Sequence, residues 1–249
     1  MQNIEETGAD ELRLKGRTVL VTGANGGVGE QFVLQALERG AAKVYATART
    51  PKEWSDARIV PLELDVTDPA SVSHAAAAAS DVNIVINNAA IFSATDVLLG
   101  PEDEARQIFD TNFFGPLRVA KAFTPVLAAN GSATILNIVS VAAWLPLPTI
   151  YAASKAALWS ATNGLRMQLE GDGINVIGLY VSVIDTPMAI YDLPKISPAS
   201  VAAQGYDGIE AGAFEVLTDD QTRDVKSRMG ATAENFYPPI HEQLRALLA

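Results

Sequence analysis

The sequence predicts a single α/β domain built on a doubly wound parallel sheet of about seven strands, with helices on both faces. Short runs rich in Val, Ile and Leu recur along the chain, and nearly unbroken apolar runs are typical of strands that are covered on both faces. Longer stretches of helical composition separate these runs, as βαβ crossovers require. The first apolar run ends in a glycine-rich turn that opens a helical stretch, an arrangement typical of nucleotide-binding α/β domains.

Seven apolar runs are the predicted strands, and their order along the chain is 18–22, 43–48, 59–64, 83–87, 133–140, 175–181 and 214–217. Two long helical stretches are predicted at 102–129 and 151–170. Residues 1–15 are predicted to form a flexible tail and residues 16–249 the domain. Three prolines interrupt residues 185–200, which makes this segment a candidate substrate lid after the sixth strand.

Composition excludes several classes of protein. The chain has 249 residues, with 18 basic and 29 acidic side chains and a net charge of −11, which argues against a nucleic-acid partner. It has no cysteine, so disulfides, thiolate metal sites and thiol nucleophiles are excluded. Only His74 and His241 are available for a zinc site or a catalytic triad, and we expect no metal. No apolar run approaches the ~20 residues of a membrane span, so we expect a cytoplasmic protein with no membrane partner.

The glycine-rich turn is predicted to bind the pyrophosphate of a dinucleotide. It follows the pattern T-G-x-x-x-G-x-G from Thr22 to Gly29, and a helical stretch begins directly after it. Glycines let the backbone approach a ligand, and the first turn of a helix offers free N–H groups to phosphate oxygens. The candidate contacts are Gly23, Asn25, Gly26, Gly27, Val28 and Gly29. The alternative is a purely structural strand-to-helix turn.

The end of the second predicted strand favours NADP(H) over NAD(H). Arg49 lies 20 residues beyond Gly29, where NAD sites place a carboxylate and NADP sites an arginine. No acidic residue occurs from 43 to 50. The alternative is that Arg49 is only a solvated surface charge. Asp65 and Val66, after the third strand, are candidates for the adenine side, although an aspartate there is also an ordinary helix cap.

Tyr151 and Lys155 form a candidate acid/base pair. They are four residues apart in a helical stretch and therefore share a face. A free phenol has a pKa near 10, and an ammonium group within about 4–6 Å favours the phenolate. We therefore expect Lys155 to lower the pKa of Tyr151 and make it a usable proton donor and acceptor. On spacing alone, a chance surface pair is the simpler interpretation.

Other polar residues lie at the ends of neighbouring predicted strands, where ligands of open parallel sheets bind. Ser140 ends the fifth strand, and Asn87-Asn88-Ala89 ends the fourth. Together with the glycine turn, Asn112 and Tyr151-x-x-x-Lys155, this pattern resembles the short-chain dehydrogenase/reductase family, over about residues 16–188.

The resemblance implies a Rossmann-type fold and hydride transfer with a nicotinamide cofactor. It implies that Tyr151 is the acid/base, that Lys155 also holds the nicotinamide ribose, that Ser140 orients the substrate and that Asn112 completes a water-linked proton relay. It assigns further cofactor contacts to Asn88, Ala89, Ile184 and Thr186. It also implies a homodimer or homotetramer, for which Trp159 and Leu165 are candidate interface residues.

Pro116 supports Asn112 independently of the resemblance. Pro116 lacks an N–H, so the carbonyl of Asn112 loses its helical partner and is free to hold a water molecule. A simple proline kink is the alternative.

Three departures from the family pattern affect the site. Asn88-Ala89-Ala90 replaces the usual Asn-Ala-Gly, and Val181-Ser182 replaces the Pro-Gly pair after the sixth strand. Tyr151 follows Ser140 by 11 residues, two fewer than usual, so the intervening loop should reshape the substrate mouth. Apolar side chains on the loops after the strand ends predict a pocket for an apolar or aromatic ketone, and they are Phe92, Trp144, Leu145, Met188 and Tyr191.

The predicted function is an NADP(H)-dependent carbonyl reductase or alcohol dehydrogenase. One alternative is a dinucleotide-binding sensor or scaffold without turnover, against which the complete set of candidate catalytic residues argues. Another is a lyase or dehalogenase on the same fold, against which the intact glycine turn and Lys155 argue. An S-adenosylmethionine methyltransferase is a weaker option, since its sheet does not call for Tyr-x-x-x-Lys.

Overall fold

The computed structural model describes residues 14–189 and 193–248, and side chains as far as residue 242. Seven strands form one sheet, and they are β1 (Thr18–Thr22), β2 (Lys43–Ala48), β3 (Ile59–Glu63), β4 (Ile84–Asn87), β5 (Ala133–Ile138), β6 (Ile174–Tyr180) and β7 (Glu215–Leu217). The strands are parallel throughout, in the order β3-β2-β1-β4-β5-β6-β7. The predicted fold class is confirmed.

Helices connect and cover the strands. The α-helices are α1 (Gly27–Glu38), α2 (Pro69–Ala78), α3 (Glu102–Phe109), α4 (Gly115–Asn130), α5 (Ile150–Leu169), α6 (Pro198–Glu210), α7 (Asp220–Arg228) and α8 (Ala233–Leu248). A π-helical segment, Asp110–Phe114, joins α3 to α4. Short 3₁₀ turns follow β5 at Val141–Ala143 and α5 at Glu170–Asp172.

The sheet is buried because both of its faces are packed. Every residue of β1, β4 and β5 is buried. On one face, α1 and α6 pack together through Phe32 and Tyr206, whose ring centroids are 5.2 Å apart. On the other face, Phe123 and Leu127 of α4 pack with α2 over the central strands. This double coverage explains why the strand sequences are apolar runs without alternation.

Three predicted boundaries differ from the structure by more than one residue, whereas the other ends agree to within one residue. β5 ends at Ile138, because the Ser140 hydroxyl accepts a hydrogen bond from Ala142 N and caps a 3₁₀ turn. The helix predicted at 102–129 is interrupted by the π-helical segment. Leu14, which we assigned to the flexible tail, is fully buried in the core against the α1 side, because an apolar side chain there completes the packing.

The candidate lid at 185–200 is partly regular. Ile184 forms an isolated parallel bridge with Ile196, and α6 begins at Pro198, capped by the Ser197 side chain. Tyr191, a predicted pocket residue, lies outside the described residues. A lid role for this segment stays a prediction.

Within the described ranges, we find no helix whose length and apolar character would let it cross a membrane.

Candidate active site

The start of α5 places Tyr151 and Lys155 at the carboxyl edge of the sheet. Thr149 is the N-cap residue, and its hydroxyl accepts a hydrogen bond from Ala152 N at 3.2 Å. The four-residue spacing then brings Lys155 Nζ to 5.8 Å from the centre of the Tyr151 ring. Lys155 is 3% exposed, and its Nζ donates a hydrogen bond to Ile138 O at 2.9 Å, where β5 ends. The two side chains therefore share one face beside the end of β5.

Ser140 completes this arrangement. It is buried, and its hydroxyl group is near enough to the Tyr151 phenol to lower the pKa of that phenol. The same hydroxyl group lies 3.4 Å from Val181 O, to which it donates, and 3.1 Å from Ala142 N, from which it accepts. The shortened loop between Ser140 and Tyr151 therefore still brings the two hydroxyl groups together.

Burial, and not Lys155, dominates the pKa of Tyr151. Removal of the phenol from water raises the pKa of Tyr151 to about 12, and the hydrogen bond with Ser140 opposes the rise. Burial also lowers the pKa of Lys155 to about 8. The lowered phenol pKa expected from the sequence is therefore wrong, because desolvation of the phenolate raises the pKa of Tyr151 by more than the hydrogen bond with Ser140 lowers it. Tyr151 is therefore a neutral phenol at pH 7.

Asn112 lies on the π-helical segment, next to this pair. It is fully buried, and its side-chain amide bridges both backbone groups of Ile91, at 2.9 Å to the N and 2.8 Å to the O. Its Nδ2 also reaches Ser154 Oγ at 3.3 Å, and Ser154 in turn donates to Tyr151 O at 2.7 Å. Gly115 N donates to Asp110 O, the i→i+5 bond of a π-helix, while Pro116 has no N–H to offer.

The glycine turn forms a cradle that side chains would fill. A Cβ added at Gly29 would lie 2.3 Å from Gly23 O and 2.6 Å from Asn88 Nδ2. Gly23 adopts φ +66°, and a Cβ there would lie 3.0 Å from Ala89 Cα. Helix α1 begins at Gly27 without a side-chain cap, so its first N–H groups are available to an anion. These observations fit a bound pyrophosphate.

Asn88 and Thr22 hold the cradle against the end of β4. Asn88 Nδ2 donates to Thr22 O at 2.8 Å and to Gly23 O at 3.1 Å. Thr22 Oγ1 accepts from the backbone N of both Asn88 and Ala89, each at 3.0 Å. The predicted cofactor residues of the first and fourth strands therefore form one rigid unit.

Arg49 and Asp65 lie at the same corner of the site, beyond the glycine turn. Arg49 is exposed, and no described residue is its hydrogen-bond partner. Hydrogen bonds from the Thr67 hydroxyl and backbone N hold the pKa of Asp65 below its ordinary value, and the charge of Arg49 contributes. Val66 is buried beside Gly115. The arrangement leaves the Arg49 guanidinium available for an anionic ligand.

Asn25 has a structural tie that the sequence did not reveal. Its Nδ2 donates to Thr50 O at 2.8 Å, and its Oδ1 accepts from Lys52 N at 3.1 Å. The side chain therefore joins the glycine turn to the segment that follows Arg49. Gly26 and Val28 lie within the turn as expected.

Thr186 approaches the glycine turn from the other end of the cleft. A Cβ at Gly27 would lie 3.4 Å from Thr186 Cγ2, and Thr186 N donates to Ile184 O at 2.8 Å. The segment after β6 therefore lies against the glycine turn, although Val181-Ser182 replaces the usual Pro-Gly pair.

The predicted substrate residues separate into two groups. Phe92 contacts Tyr151 edge to face, with ring centroids 4.9 Å apart. Trp144 is 6% exposed and stacks on Tyr180 at 4.3 Å, so much of its surface is packing within the chain. Leu145 packs against the same cluster, whereas Met188 is exposed. A cavity of about 370 Å³ lies between Ala143–Pro146 and helix α8, where Tyr237 and His241 line it.

Sequence reasoning missed a buried polar chain beneath the site. Asn87 Nδ2 donates to Asn137 Oδ1 at 2.9 Å, and Asn137 Nδ2 donates to Thr162 Oγ1 at 2.9 Å. This chain links β4, β5 and α5 close to Ile138, the partner of Lys155. The sequence feature that could have revealed this chain is Asn137, a polar residue inside the apolar run of β5.

Comparisons with known proteins identify the family of this chain. A profile of the short chain dehydrogenase family matches residues 17–195. The short-chain dehydrogenase ptmH of Penicillium ochrochloron is 35% identical over 236 residues, which cover 86% of each protein. A short chain dehydrogenase from Burkholderia cenocepacia J2315, solved in complex with NADP, is 33% identical, with a TM-score of 0.86 over 92% of this chain and 98% of that one. A short chain dehydrogenase/reductase from Burkholderia phymatum, solved in complex with NAD, is 22% identical, with a TM-score of 0.76 over 88% of this chain and 94% of that one, a likeness in fold.

A parallel Rossmann-type sheet with a glycine cradle and a buried Tyr-Lys-Ser group defines a dinucleotide-binding oxidoreductase. The chain belongs to the short chain dehydrogenase family. It is an NAD(P)-dependent dehydrogenase or reductase. The resemblance found in the sequence is confirmed.

Proposed function

We propose that the protein is an NADP(H)-dependent carbonyl reductase or alcohol dehydrogenase that acts on a ketone or secondary alcohol with an apolar or aromatic substituent. The observation that carries this proposal is the buried Tyr151 phenol, which stays protonated at neutral pH beside Ser140. Lys155 Nζ lies 5.8 Å from the centre of the Tyr151 ring. A neutral phenol in this position is a proton donor for a carbonyl oxygen.

Each side chain of the site has a distinct part. Ser140 orients the carbonyl oxygen toward Tyr151, and Tyr151 gives that oxygen its proton. Lys155, held by Ile138 O, binds ribose hydroxyl groups with its remaining N–H donors. When bound, the nicotinamide supplies the hydride in reduction and accepts it in the reverse direction. Asn112 holds a water at its backbone oxygen and continues the proton path.

The same residues account for cofactor binding and its preference. The cradle formed by Gly23 and Gly29 would hold the pyrophosphate, and Asp65 the adenine. Arg49 supports a preference for NADP(H), since an exposed guanidinium without a hydrogen-bond partner among the described residues suits a 2′-phosphate.

Substitution of Tyr151 tests the proposal directly. Tyr151→Phe should lower kcat by about 10²–10⁴-fold in a panel of ketones followed at the nicotinamide absorbance, because the proton donor is lost. NADPH affinity, measured by fluorescence titration, should stay unchanged. Tyr45→Phe, which removes a phenol far along the chain from the site, is the matched control. Undiminished turnover in Tyr151→Phe would reject the assigned proton donor.

A further inference from the structure

The loop between β4 and α3, residues 88–101, lies against the start of α5. Ile150 N donates to Thr95 O at 2.9 Å, and Val97 N donates to Pro148 O at 3.2 Å. Asp96 and Thr149 form an isolated antiparallel bridge between these two hydrogen bonds. A short ladder therefore joins the β4–α3 loop to the three residues directly before Tyr151.

Apart from this ladder, the backbone that leads into α5 is held by local hydrogen bonds. The 3₁₀ turn after β5 ends at Ala143, and the backbone that follows makes only close local hydrogen bonds, from Leu147 N to Leu145 O and from Thr149 N to Leu147 O, both at 2.8 Å. Because the segment from Ser140 to Tyr151 is short, the position of Tyr151 depends on what holds Thr149 and Ile150. The structure assigns that part to the β4–α3 loop.

The same loop contacts the phenol ring itself. Phe92 packs edge to face on Tyr151 at 4.9 Å, with an angle of 70° between the rings. Asn112 fixes the preceding residue, Ile91, through both of its backbone groups. A shift of the loop would therefore move both the ring that packs on Tyr151 and the backbone that precedes it.

A carboxylate from α3 holds the middle of the loop. Ser93 Oγ donates to Glu104 Oε1 at 2.5 Å and lies 2.7 Å from Thr95 Oγ1. Thr95 is only 7% exposed, so its hydroxyl group needs a partner inside the protein. Charge-assisted hydrogen bonds of this kind are short and stronger than neutral ones. Glu104 is thus bonded to Ser93 directly and linked to Thr95 through the Ser93 hydroxyl group.

We propose that Glu104 is a positioning residue for Tyr151, which acts through Ser93, Thr95 and the β4–α3 loop. Glu104 itself touches neither substrate nor cofactor. It anchors the loop whose backbone hydrogen-bonds Ile150 and whose Phe92 packs on the phenol ring. This inference rests on the proposed function of Tyr151 as proton donor. The hydrogen bonds from Ser93 and Thr95 hold the pKa of Glu104 below its ordinary value, in keeping with an ionised anchor.

A purely local role for Glu104 is the alternative. Glu102, Asp103 and Glu104 all lie in the first turn of α3, where acidic side chains interact favourably with the helix dipole. Asp103 is exposed and shares this position, so Asp103→Ala removes the same helix-dipole interaction and leaves the loop anchor intact. It is the matched control.

The test compares Glu104→Ala, Glu104→Gln and Asp103→Ala with the wild-type enzyme. Displacement of a catalytic group by up to 1 Å lowers the reaction rate by as much as 10²-fold. We therefore expect kcat of Glu104→Ala to fall about tenfold, with NADPH affinity unchanged. Glu104→Gln keeps an oxygen acceptor and should restore most of kcat. The ¹³Cζ NMR signal of Tyr151, assigned by its absence in Tyr151→Phe, should shift in Glu104→Ala and return in Glu104→Gln.

Each outcome decides the proposal. Equal kcat in Glu104→Ala and Asp103→Ala, or an unmoved Tyr151 signal in Glu104→Ala, would overturn the positioning role. If the wild-type enzyme reduces none of the carbonyl panel, the proposed function fails, and the Tyr151 signal still decides whether Glu104 positions the phenol.

Discussion

Arg49 is the residue on which the proposed cofactor preference depends. It directly follows β2, is exposed, and its charge acts on the Asp65 carboxylate. In contrast, Lys52 of the neighbouring segment is already paired with Glu30 at 2.5 Å and lies 4.2 Å from the centre of the Trp54 ring. Arg49 is therefore the better candidate for a 2′-phosphate contact.

We expect Arg49→Asp to move the preference from NADPH toward NADH. The introduced carboxylate repels a 2′-phosphate and accepts hydrogen bonds from ribose hydroxyl groups. The ratio of kcat/KM for NADPH to that for NADH should fall by about tenfold or more, since a charge reversal costs at least one charge-assisted hydrogen bond. Arg228→Asp, on α7, changes the net charge equally and should leave the ratio unaltered. An unaltered ratio in Arg49→Asp would mean that another group holds the phosphate.

At the scale of the element, the π-helical segment is the feature that brings Asn112 to the site. An α-helix that continued from α3 into α4 would need the N–H of residue 116, and that residue is Pro116. The extra residue of the π-turn places the Asn112 side chain toward Ile91 and Ser154. Single π-turns within α-helices often occur at functional sites.

Pro116→Ala tests the proposed water site at the Asn112 carbonyl. The restored N–H competes for the backbone oxygen of Asn112 that the proposed water would use. We expect kcat to fall several-fold with little change in the melting temperature, because Pro116 lies in the first turn of α4, where proline is tolerated. Pro125→Ala lies in the same helix, α4, on an exposed position, and should raise stability without a loss of kcat. Full activity in Pro116→Ala would remove Asn112 from the proton path.

At the scale of the whole molecule, a polar cluster at the opposite side of the fold stabilises the sheet. Asp81, just before β4, accepts hydrogen bonds from Lys43 Nζ at 2.6 Å and Tyr45 OH at 2.9 Å. Thr18 Oγ1, on β1, donates a third hydrogen bond to Asp81 at 3.3 Å. The cluster therefore joins β1, β2 and the segment that leads into β4.

The pKa shifts of this cluster predict how stability depends on pH. Burial raises the pKa of Asp81, but the hydrogen bonds from Lys43 and Tyr45 outweigh it and hold that pKa below 3.8. Its contribution is therefore complete above the unfolded-state pKa and is lost as pH falls through the folded-state value. The hydrogen bond to Asp81 raises the pKa of Lys43, whose contribution is complete below about pH 10.5 and is lost at still higher pH.

We expect Asp81→Asn to lower the free energy of unfolding at pH 7 by about 1 kcal/mol, since both partners are partly exposed and solvent screens the pair. That corresponds to roughly 2–4 °C in melting temperature for a domain of this size. The difference from the wild type should shrink below pH 4. Asp224→Asn, in an exposed ion pair on α7, is the control and should have little effect. A difference that stays constant down to pH 2 would contradict the assignment.

The homodimer or homotetramer implied by the resemblance stays a prediction. Trp159 packs against Trp144 within the chain, with ring centroids 6.5 Å apart. Leu165 packs against the core cluster that contains Phe123 and Leu127. Both residues are thus partly accounted for without a partner subunit. Phe114, on the π-helical segment, is 48% exposed and adds apolar surface to the same region.

The sequence by itself determined the fold class, the seven strands and the residues that meet at the carboxyl edge of the sheet. These features are local or periodic: apolar runs mark strands, and a four-residue spacing places Tyr151 and Lys155 on one helix face. Pro116 likewise predicted the irregular helix at Asn112, because a residue without an N–H cannot complete the regular hydrogen bonds of its own helix.

Only the tertiary structure decided the electrostatics and the supports of the site. The pKa of Tyr151 depends on burial by residues that are far apart in the chain, among them Phe92. Burial raises this pKa, whereas the spacing of Tyr151 and Lys155 alone predicted that it would be lowered. Trp144 lines the cavity beside α8 and also stacks on Tyr180, from a strand that comes 36 residues later. Desolvation and packing depend on atoms brought together by the whole fold, and no local pattern of residues specifies them.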